Sequence, residues 1–356
     1  MQSEAILTFI YWFPFAQFIW LFIGYNRLRI NSFNATDSSI TLIIPYRNEA
    51  ENLPSLIKNL NQIILKPKDQ IILVDDNSTD SGITDDLFLR KEITILHLKE
   101  DVVGSKKQAL TQAILQSSTE WILTTDADCE FGEKWVQEMR TKLNPGLHML
   151  IGPVLTKPGA RLQGWLQTCE SVCLWSVSSA SAGWNMPILC SGANLLFRRT
   201  SWLEVGGYKA HQHILSGDDV LLMNDFSKRW KNGIRAINSR QALVLTKSLH
   251  SWQQMLDQRK RWSSKRAHVG GLKKKLLLLG LAFWLFLPVA AFFYDFRFPA
   301  VLFLMETGFV WTVLHAFNLS FKVSHWLLFR VAYPFFLVLF LFYKPGTLLW
   351  KGRVVE

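Results

Sequence analysis

The chain is short of charge. Of its 356 residues 19% are Asp, Glu, Lys or Arg and 49% are apolar, against about 25% charged in an average soluble protein. Disorder requires the opposite balance and is excluded. Cysteine is scarce too: 4 in this length cannot make a disulfide framework, and they point to a reducing compartment for whatever lies outside a membrane. Acidic residues thin out toward the end. Residues 241–356 carry 15 Lys and Arg against 4 Asp and Glu, so the whole net charge of +11 lies there. Nucleic-acid binding needs a basic face on a folded domain. Here the excess lies beside apolar runs, so a membrane surface is the expected partner and nucleic acid is not.

Aromatics are abundant, with 15 Trp and 25 Phe among the 356 residues. Residues 5–25, AILTFIYWFPFAQFIWLFIGY, hold no charge and are long enough at ~1.5 Å per residue to cross about 30 Å of hydrocarbon. They read as one transmembrane helix, kinked at Pro14. A cleaved signal peptide is disfavoured, because MQSEAI has no Lys or Arg and no small-residue cleavage pattern follows. Arg27 and Arg29 place the N-terminus outside and the next domain in the cytoplasm. After Lys273, Lys274 and Lys275 come three further candidate spans, at about 276–294, 299–318 and 326–343, the last of which is re-entrant if Lys344, Lys351 and Arg353 stay cytoplasmic. Glu306, His315 and Arg330 fall inside them and are expected to pair with one another or lie near the interface. The expected division is a membrane anchor at 1–30, a catalytic domain at 31–272, and membrane helices with a tail at 273–356.

The middle of the chain alternates short β-branched runs with polar loops and helical patterns. The runs are ITLIIP (40–45), IILVD (71–75), ITILHL (93–98) and WILTTD (121–126), the pattern of a parallel α/β domain. In such sheets ligands gather beyond the carboxyl ends of the strands. Residues 164–184, GWLQTCESVCLWSVSSASAGW, read either as an interfacial helix or as a core helix. Cys169 and Cys173 lack partners at a zinc spacing and are expected to be buried thiols.

Three of the loops are acidic. Asp75-Asp76-Asn77-Ser78-Thr79-Asp80 follows the second run and Asp126-Ala127-Asp128 the fourth. An Asp-x-Asp pair at a strand end points two carboxylates the same way, which suits a hard divalent cation bridging phosphate oxygens. Taken alone, either loop reads more simply as caps and turns. Gly217-Asp218-Asp219 lies at a helix start, where capping accounts for one aspartate and a general base for the other. In Gln258-Arg259-Lys260-Arg261-Trp262 the fork of Arg261 can hold a diphosphate and Trp262 can offer a flat face to a sugar or aglycone. Alone, that run reads as a juxtamembrane basic helix.

In order, Ile44-Pro45-Tyr46-Arg47-Asn48-Glu49, Val74 to Asp80, Gly104-Ser105-Lys106-Lys107-Gln108-Ala109-Leu110, Thr125 to Asp128, Gly192-Ala193-Asn194, Gly217-Asp218-Asp219 and Gln258 to Trp262 make a specific set. The chain from about Ser39 to Lys265 resembles the family 2 glycosyltransferases of GT-A fold in their membrane-anchored form, with one helix before the domain and about three after it. The resemblance implies a donor pocket of Pro45, Tyr46, Arg47, Glu49, Asp76, Lys106 and Asp126. It implies metal binding by Asp126 and Asp128, the latter the likelier direct ligand of Mg²⁺ or Mn²⁺, and a catalytic base at Asp219. Asp218, Gln258, Arg261 and Trp262 would complete the diphosphate and acceptor site. Lys106 matches the family's Gly-Lys position only across the extra Ser105, so Lys106 or Lys107 fits. The helices and the closing Trp350-Lys351-Gly352-Arg353 look like the ceramide-glucosyltransferase-like and bacterial lipid glycosyltransferases. The implied activity is inverting, metal-dependent transfer from a nucleotide sugar, a UDP-sugar being favoured, to a lipid or lipid-linked acceptor at the cytoplasmic face of a bacterial membrane. A processive polysaccharide synthase ranks second and a non-catalytic sugar-nucleotide-binding membrane subunit third.

Overall fold

The computed structural model describes residues 2–28, 38–80, 82–83, 90–98, 106–159, 161–212, 214, 217–264, 297–343, 348–350 and 353–355. The four apolar runs form β1 (Ile40–Tyr46), β2 (Gln70–Asp75), β3 (Ile93–His97) and β4 (Trp121–Thr124), parallel and in the order β3-β2-β1-β4. Successive side chains go to opposite faces. On β1, Ile40, Leu42 and Ile44 enter one core and Ile43 the other; on β4, Trp121 and Leu123 part from Ile122 in the same way. With both faces buried the strands read as continuous apolar runs. α2 (Leu53–Gln62) and α4 (Trp135–Arg140) cover one face. α3 (Lys106–Gln116), α5 (Leu162–Gly183) and α7 (Asp218–Arg229) cover the other.

Beyond β4 the sheet continues through β8 (Leu195–Arg198), β6 (Met149–Ile151) and β9 (Ile234–Ala236), with β8 antiparallel to both neighbours. The sheet is therefore mixed where the sequence alternation predicts parallel strands. The Thr124 hydroxyl, at the end of β4, donates to the Gly192 carbonyl at 2.7 Å. The chain thus enters β8 where β4 ends and has to run back along it. A second sheet, β5 (Cys129–Phe131), β10 (Val244–Thr246) and β7 (Val154–Thr156), lies beside the first. The fully buried Asn194 pins that region down: it donates to the carbonyls of Pro153 and Ala242 at 2.9 and 2.8 Å and accepts from the Trp135 indole at 3.1 Å. The short helix α6 (Arg199–Glu204) follows β8, and α8 (Trp252–Ser264) follows β10.

The N-terminal run forms α1 (Gln2–Asn26), whose side chains are described from Trp12 onward. It crosses α5 at a point where a Cβ on Gly183 would fall 1.9 Å from the Gly24 carbonyl, so only glycine fits there. The Trp184 indole donates to the Trp20 carbonyl at 2.9 Å, and Asn238 donates to the Tyr25 hydroxyl at 2.6 Å. Residues 164–184 are thus a core helix. Their buried serines are compatible with it because Ser176, Ser179 and Ser181 return their hydroxyls to carbonyls of the same helix.

Two more long helices follow, α9 (Arg297–Ala316) and α10 (Val323–Phe342). Among the described residues one helix is long and apolar enough to cross a membrane, Val323–Phe340, with a mean hydropathy of 1.6; the apolar part of α9 is the shorter Ala300–Ala316. This falls short of the expected one N-terminal and three C-terminal spans, and the first of those three, with its lysine cluster, lies outside the described residues. Glu306 and Arg330 pair across α9 and α10 at 2.9 Å. His315 does not join them; it stacks on Trp311 with ring centroids 5.1 Å apart. The tail closes in a hairpin, β11 (Leu348–Trp350) and β12 (Arg353–Val355), that sets Trp350 opposite Arg353.

At the amino ends of the strands, remote from the acidic loops, Asp69 forms a buried ion pair with Arg140. The same carboxylate accepts from the Ile40 and Lys66 amides at 2.9 and 2.7 Å, while Arg140 donates to the Ser38 carbonyl at 3.1 Å. Removing one partner strands the other charge in a dry environment. Asp69→Ala is expected to cost about 3–5 kcal/mol, read by thermal or denaturant unfolding; a loss below about 1 kcal/mol would show that the pair is solvated.

Candidate active site

The loops that carry Arg47 to Glu49, Asp76 and the pair Asp126 and Asp128 leave the carboxyl ends of β1, β2 and β4, which are neighbours in the sheet. The first two loops are stitched into one wall. Arg47 donates to the carbonyl of Asp76 at 2.6 Å and to that of Asn77. Asn48 and Asn77 take left-handed backbone, φ 51° and 54°, which asparagine tolerates better than most residues. Asn48 then accepts from the Thr79 amide at 2.7 Å while its own amide donates to Ser78 Oγ at 3.1 Å. Asp76 and Glu49 are buried in this wall. Glu49 accepts from Asn52, which in turn accepts from Lys247, each at 2.5 Å. Pro45 and Tyr46 lie at the end of β1 opposite Val74 and Asp75, and burial and then the Asp75 charge push the Tyr46 phenol well up.

The second wall is where the charges meet. Lys106 opens α3 and reaches Asp126 at 2.5 Å and Asp218 at 3.7 Å. Burial by itself would lower the Lys106 ammonium; the carboxylates of Asp126, Asp218 and Asp219 outweigh it and hold the group above its ordinary value. Arg261 is drawn down by burial, opposed by Asp126, Asp128 and Asp218. Gly217 takes φ 86°, a conformation natural to glycine, and starts α7 with Asp218 and Asp219 in its first turn. There Asp219 accepts from the Gly192 amide at 3.1 Å and from the Val220 amide at 2.7 Å, which fixes its carboxylate beside the cluster. A Cβ on Gly192 would fall 3.3 Å from Asp218 Oδ2 and 3.5 Å from Lys106 Nζ, so this glycine forms the floor.

Lys106, Asp126, Asp128, Asp218, Asp219 and Arg261 thus come within electrostatic reach of one another, and Pro45 to Glu49 and Asp76 follow the neighbouring strands β1 and β2. Lys107, the other candidate at the Gly-Lys position, points elsewhere: its ammonium is buried on the carbonyls of His211 and Ile214, in the loop that leads to Asp218. Gln258 and Trp262 attach to Arg259, through a 2.6 Å hydrogen bond to Gln258 and a guanidinium 5.2 Å from the Trp262 ring. Sequence reasoning missed the partner of Arg259, Glu170 of α5. The available signal was that Glu170 is the one charged residue of that helix.

Whether a divalent cation fits can be judged from charge. Asp126, Asp128, Asp218 and Asp219 face Lys106 and Arg261, four carboxylates to two cations, which leaves a net negative hollow. Asp126 keeps its side chain 38% exposed, open to a ligand. Among the described residues no three His, Cys, Asp or Glu side chains are grouped closely enough to hold a metal ion by themselves. This donor set suits a cation held by one or two carboxylates and completed by substrate phosphates.

Residues 41–202 match the family model Glycosyl transferase family 2. Over that stretch, a little under half of its length, the chain is similar to that family. It is 22% identical over 246 residues to a poly-beta-1,6-N-acetyl-D-glucosamine synthase of Staphylococcus epidermidis, covering 64% of this chain and 56% of that protein. It is 27% identical over 215 residues to a 4,4'-diaponeurosporenoate glycosyltransferase of Staphylococcus haemolyticus, covering 55% of each. The chain spans about half the length of the curated relatives it matches. In fold it is similar to a mannosyltransferase of Pyrobaculum calidifontis solved with GDP-Man and Mn²⁺, with a TM-score of 0.54 at 16% identity over 94% of this chain and 97% of that one. The α/β domain with its mixed sheet is thus of GT-A type.

The two lysines give a sharp test. Lys106→Met is expected to lower turnover by about 10²-fold or more, as removal of a preorganised charge does, with little change in melting temperature. Lys107→Met removes buried hydrogen bonds and is expected to cost about 1.5–3 kcal/mol of stability. Turnover assays and thermal unfolding on both variants decide it, and the reverse pattern would exchange the two roles.

Proposed function

We propose that this protein transfers a sugar from a nucleoside-diphosphate sugar to a hydroxyl of a lipid or lipid-linked acceptor, inverting the anomeric centre, at the cytoplasmic face of a bacterial membrane. One observation carries the reading: four aspartates from loops distant in sequence gather around Lys106 and Arg261. A donor diphosphate gains negative charge as its glycosidic bond breaks, and preorganised cations favour that state over the ground state. Arg261 and Lys106 supply two of them. Mg²⁺ or Mn²⁺ held by Asp128, with Asp126, would supply further neutralisation when bound. The Mn²⁺ in the Pyrobaculum mannosyltransferase supports that assignment. Pro45 to Glu49 and Asp76 form the pocket for the nucleoside, and a UDP-sugar is the favoured donor.

An acceptor hydroxyl has a pKa far above 7 and must lose its proton as it attacks. Asp219 takes that proton. Its two backbone hydrogen bonds fix the carboxylate in place, and attack opposite the diphosphate inverts the centre in one displacement. No second carboxylate is needed as a nucleophile, unlike in a retaining glycosidase. Asp218, Gln258 and Trp262 border the acceptor side.

The lipid acceptor rests on the helices around the domain. α10 exposes Leu327, Val331, Phe335, Leu339 and Phe342, an apolar stripe fit for a bilayer, and α8 lies against the same helix. Trp262, 37% exposed on α8, follows Arg261, whose charge faces Asp126, Asp128 and Asp218. A processive synthase is the second reading, favoured by the Staphylococcus epidermidis relative.

UDP-glucose, UDP-N-acetylglucosamine and GDP-mannose, each with Mn²⁺ and a bacterial lipid extract, form the test panel. At least one is expected to yield a lipid product with one added sugar; a ladder of products would select the processive reading. With the active donor, Asp219→Asn is expected to lower transfer by about 10²–10⁴-fold while the donor still raises the melting temperature, and EDTA is expected to stop the reaction. Near-normal transfer by Asp219→Asn would remove the proposed base.

A further inference from the structure

Glu170 is buried at the middle of α5, the one charged side chain of its 22 residues. Arg259 of α8 meets it edge on, with Nε donating to Oε1 at 3.2 Å and Nη2 donating to Oε2. Tyr333 of α10 donates its hydroxyl to Oε1 at 2.5 Å. Two-pronged binding to a carboxylate fixes both the position and the plane of a guanidinium. What remains of Arg259 is turned to its own helix: Nη1 donates to Gln258 Oε1 at 2.6 Å, and the guanidinium carbon lies 5.2 Å from the Trp262 ring centroid.

From this geometry we infer that Glu170 is a positioning residue for the acceptor side of the site. It acts through Arg259, whose one free edge orients Gln258 and whose charge orients Trp262. The inference rests on the proposed role of Gln258 and Trp262 at the diphosphate and acceptor site. α8 is held on α10 by further contacts: Trp252 and Phe336 rings 6.0 Å apart, Lys260 Nζ 4.9 Å from the Phe340 ring, and the Tyr343 hydroxyl donating to Asp257 at 2.6 Å. Those contacts hold the helix as a body. The Glu170 ion pair additionally sets the two side chains that face substrate, so one buried carboxylate links the core helix, the motif helix and the apolar helix α10.

The test uses the full chain in detergent or nanodiscs, with whichever donor of UDP-glucose, UDP-N-acetylglucosamine and GDP-mannose the wild type turns over, Mn²⁺ and lipid extract. Glu170→Gln keeps the shape and removes the charge. It is expected to lower kcat by about 10²-fold, the scale of a displacement of about 1 Å in a positioning group, with the donor KM changed less than about threefold, since Lys106 and Arg261 still hold the diphosphate. The reversed pair, Glu170→Arg with Arg259→Glu, is expected to restore melting temperature and not kcat, because a glutamate at 259 offers neither a donor to Gln258 nor a cation to Trp262. Tyr333→Phe deletes a single hydroxyl, keeps the ion pair, and serves if Glu170→Gln fails to fold; it is expected to lower kcat by about fivefold with a modest fall in melting temperature. Recovery of kcat by the reversed pair, or wild-type kcat in Glu170→Gln or in Tyr333→Phe, would overturn the positioning role alone. Wild-type turnover by Trp262→Ala would instead overturn the placement of α8 in the site, and this inference with it.

Discussion

Like charges repel, and this fold gathers four carboxylates around Lys106 and Arg261. Asp126 and Asp128 leave β4, while Asp218 and Asp219 begin α7; the two groups are far apart in the chain. What allows them to share space is Lys106, seated at 2.5 Å from Asp126 and 3.7 Å from Asp218, with Arg261 as the second cation. In a partly dry cleft such attractions are stronger than in water. The remaining negative charge is what the proposed binding of a divalent cation with a donor diphosphate would use. Organisation of the cluster and reactivity of the site are therefore the same electrostatic fact.

Around that cluster the fold supplies rigidity by joining segments two at a time. Arg47 ties the loops after β1 and β2 through backbone carbonyls. Gly192 joins β4 to β8 through its carbonyl and α7 to that same turn through its amide. Lys107 holds the loop leading to Asp218. Glu170 joins α5 to α8 and α10. These ties hold the candidate side chains in fixed positions, as a preorganised site requires.

Much of this was legible in the sequence where local pattern and burial agree. β1, β2 and β4 are buried on both faces, so their apolar runs stood out, and the acidic loops at the carboxyl ends of β2 and β4 followed. β6, β8 and β9 are strands of three or four residues, too short to signal themselves. The reversal at β8 depends on a hydrogen bond between Thr124 and Gly192, 68 residues apart. Lys106 and Lys107 are adjacent and chemically identical; only the turn of about 100° between successive positions of α3 parts them. The serine-rich stretch of α5 looked ambiguous because composition cannot reveal that its hydroxyls bond their own helix. Of the expected spans, one C-terminal helix is long and apolar enough among the described residues, and the first C-terminal run lies outside them.

The measurement that bears most directly on this account is a titration of Mn²⁺ against the full chain by electron paramagnetic resonance, run with and without UDP or GDP. The account predicts weak binding alone, one tightly bound ion per chain with the nucleotide present, and loss of that ion in Asp128→Asn. Binding of the same strength without nucleotide, or an unchanged stoichiometry in Asp128→Asn, would contradict it.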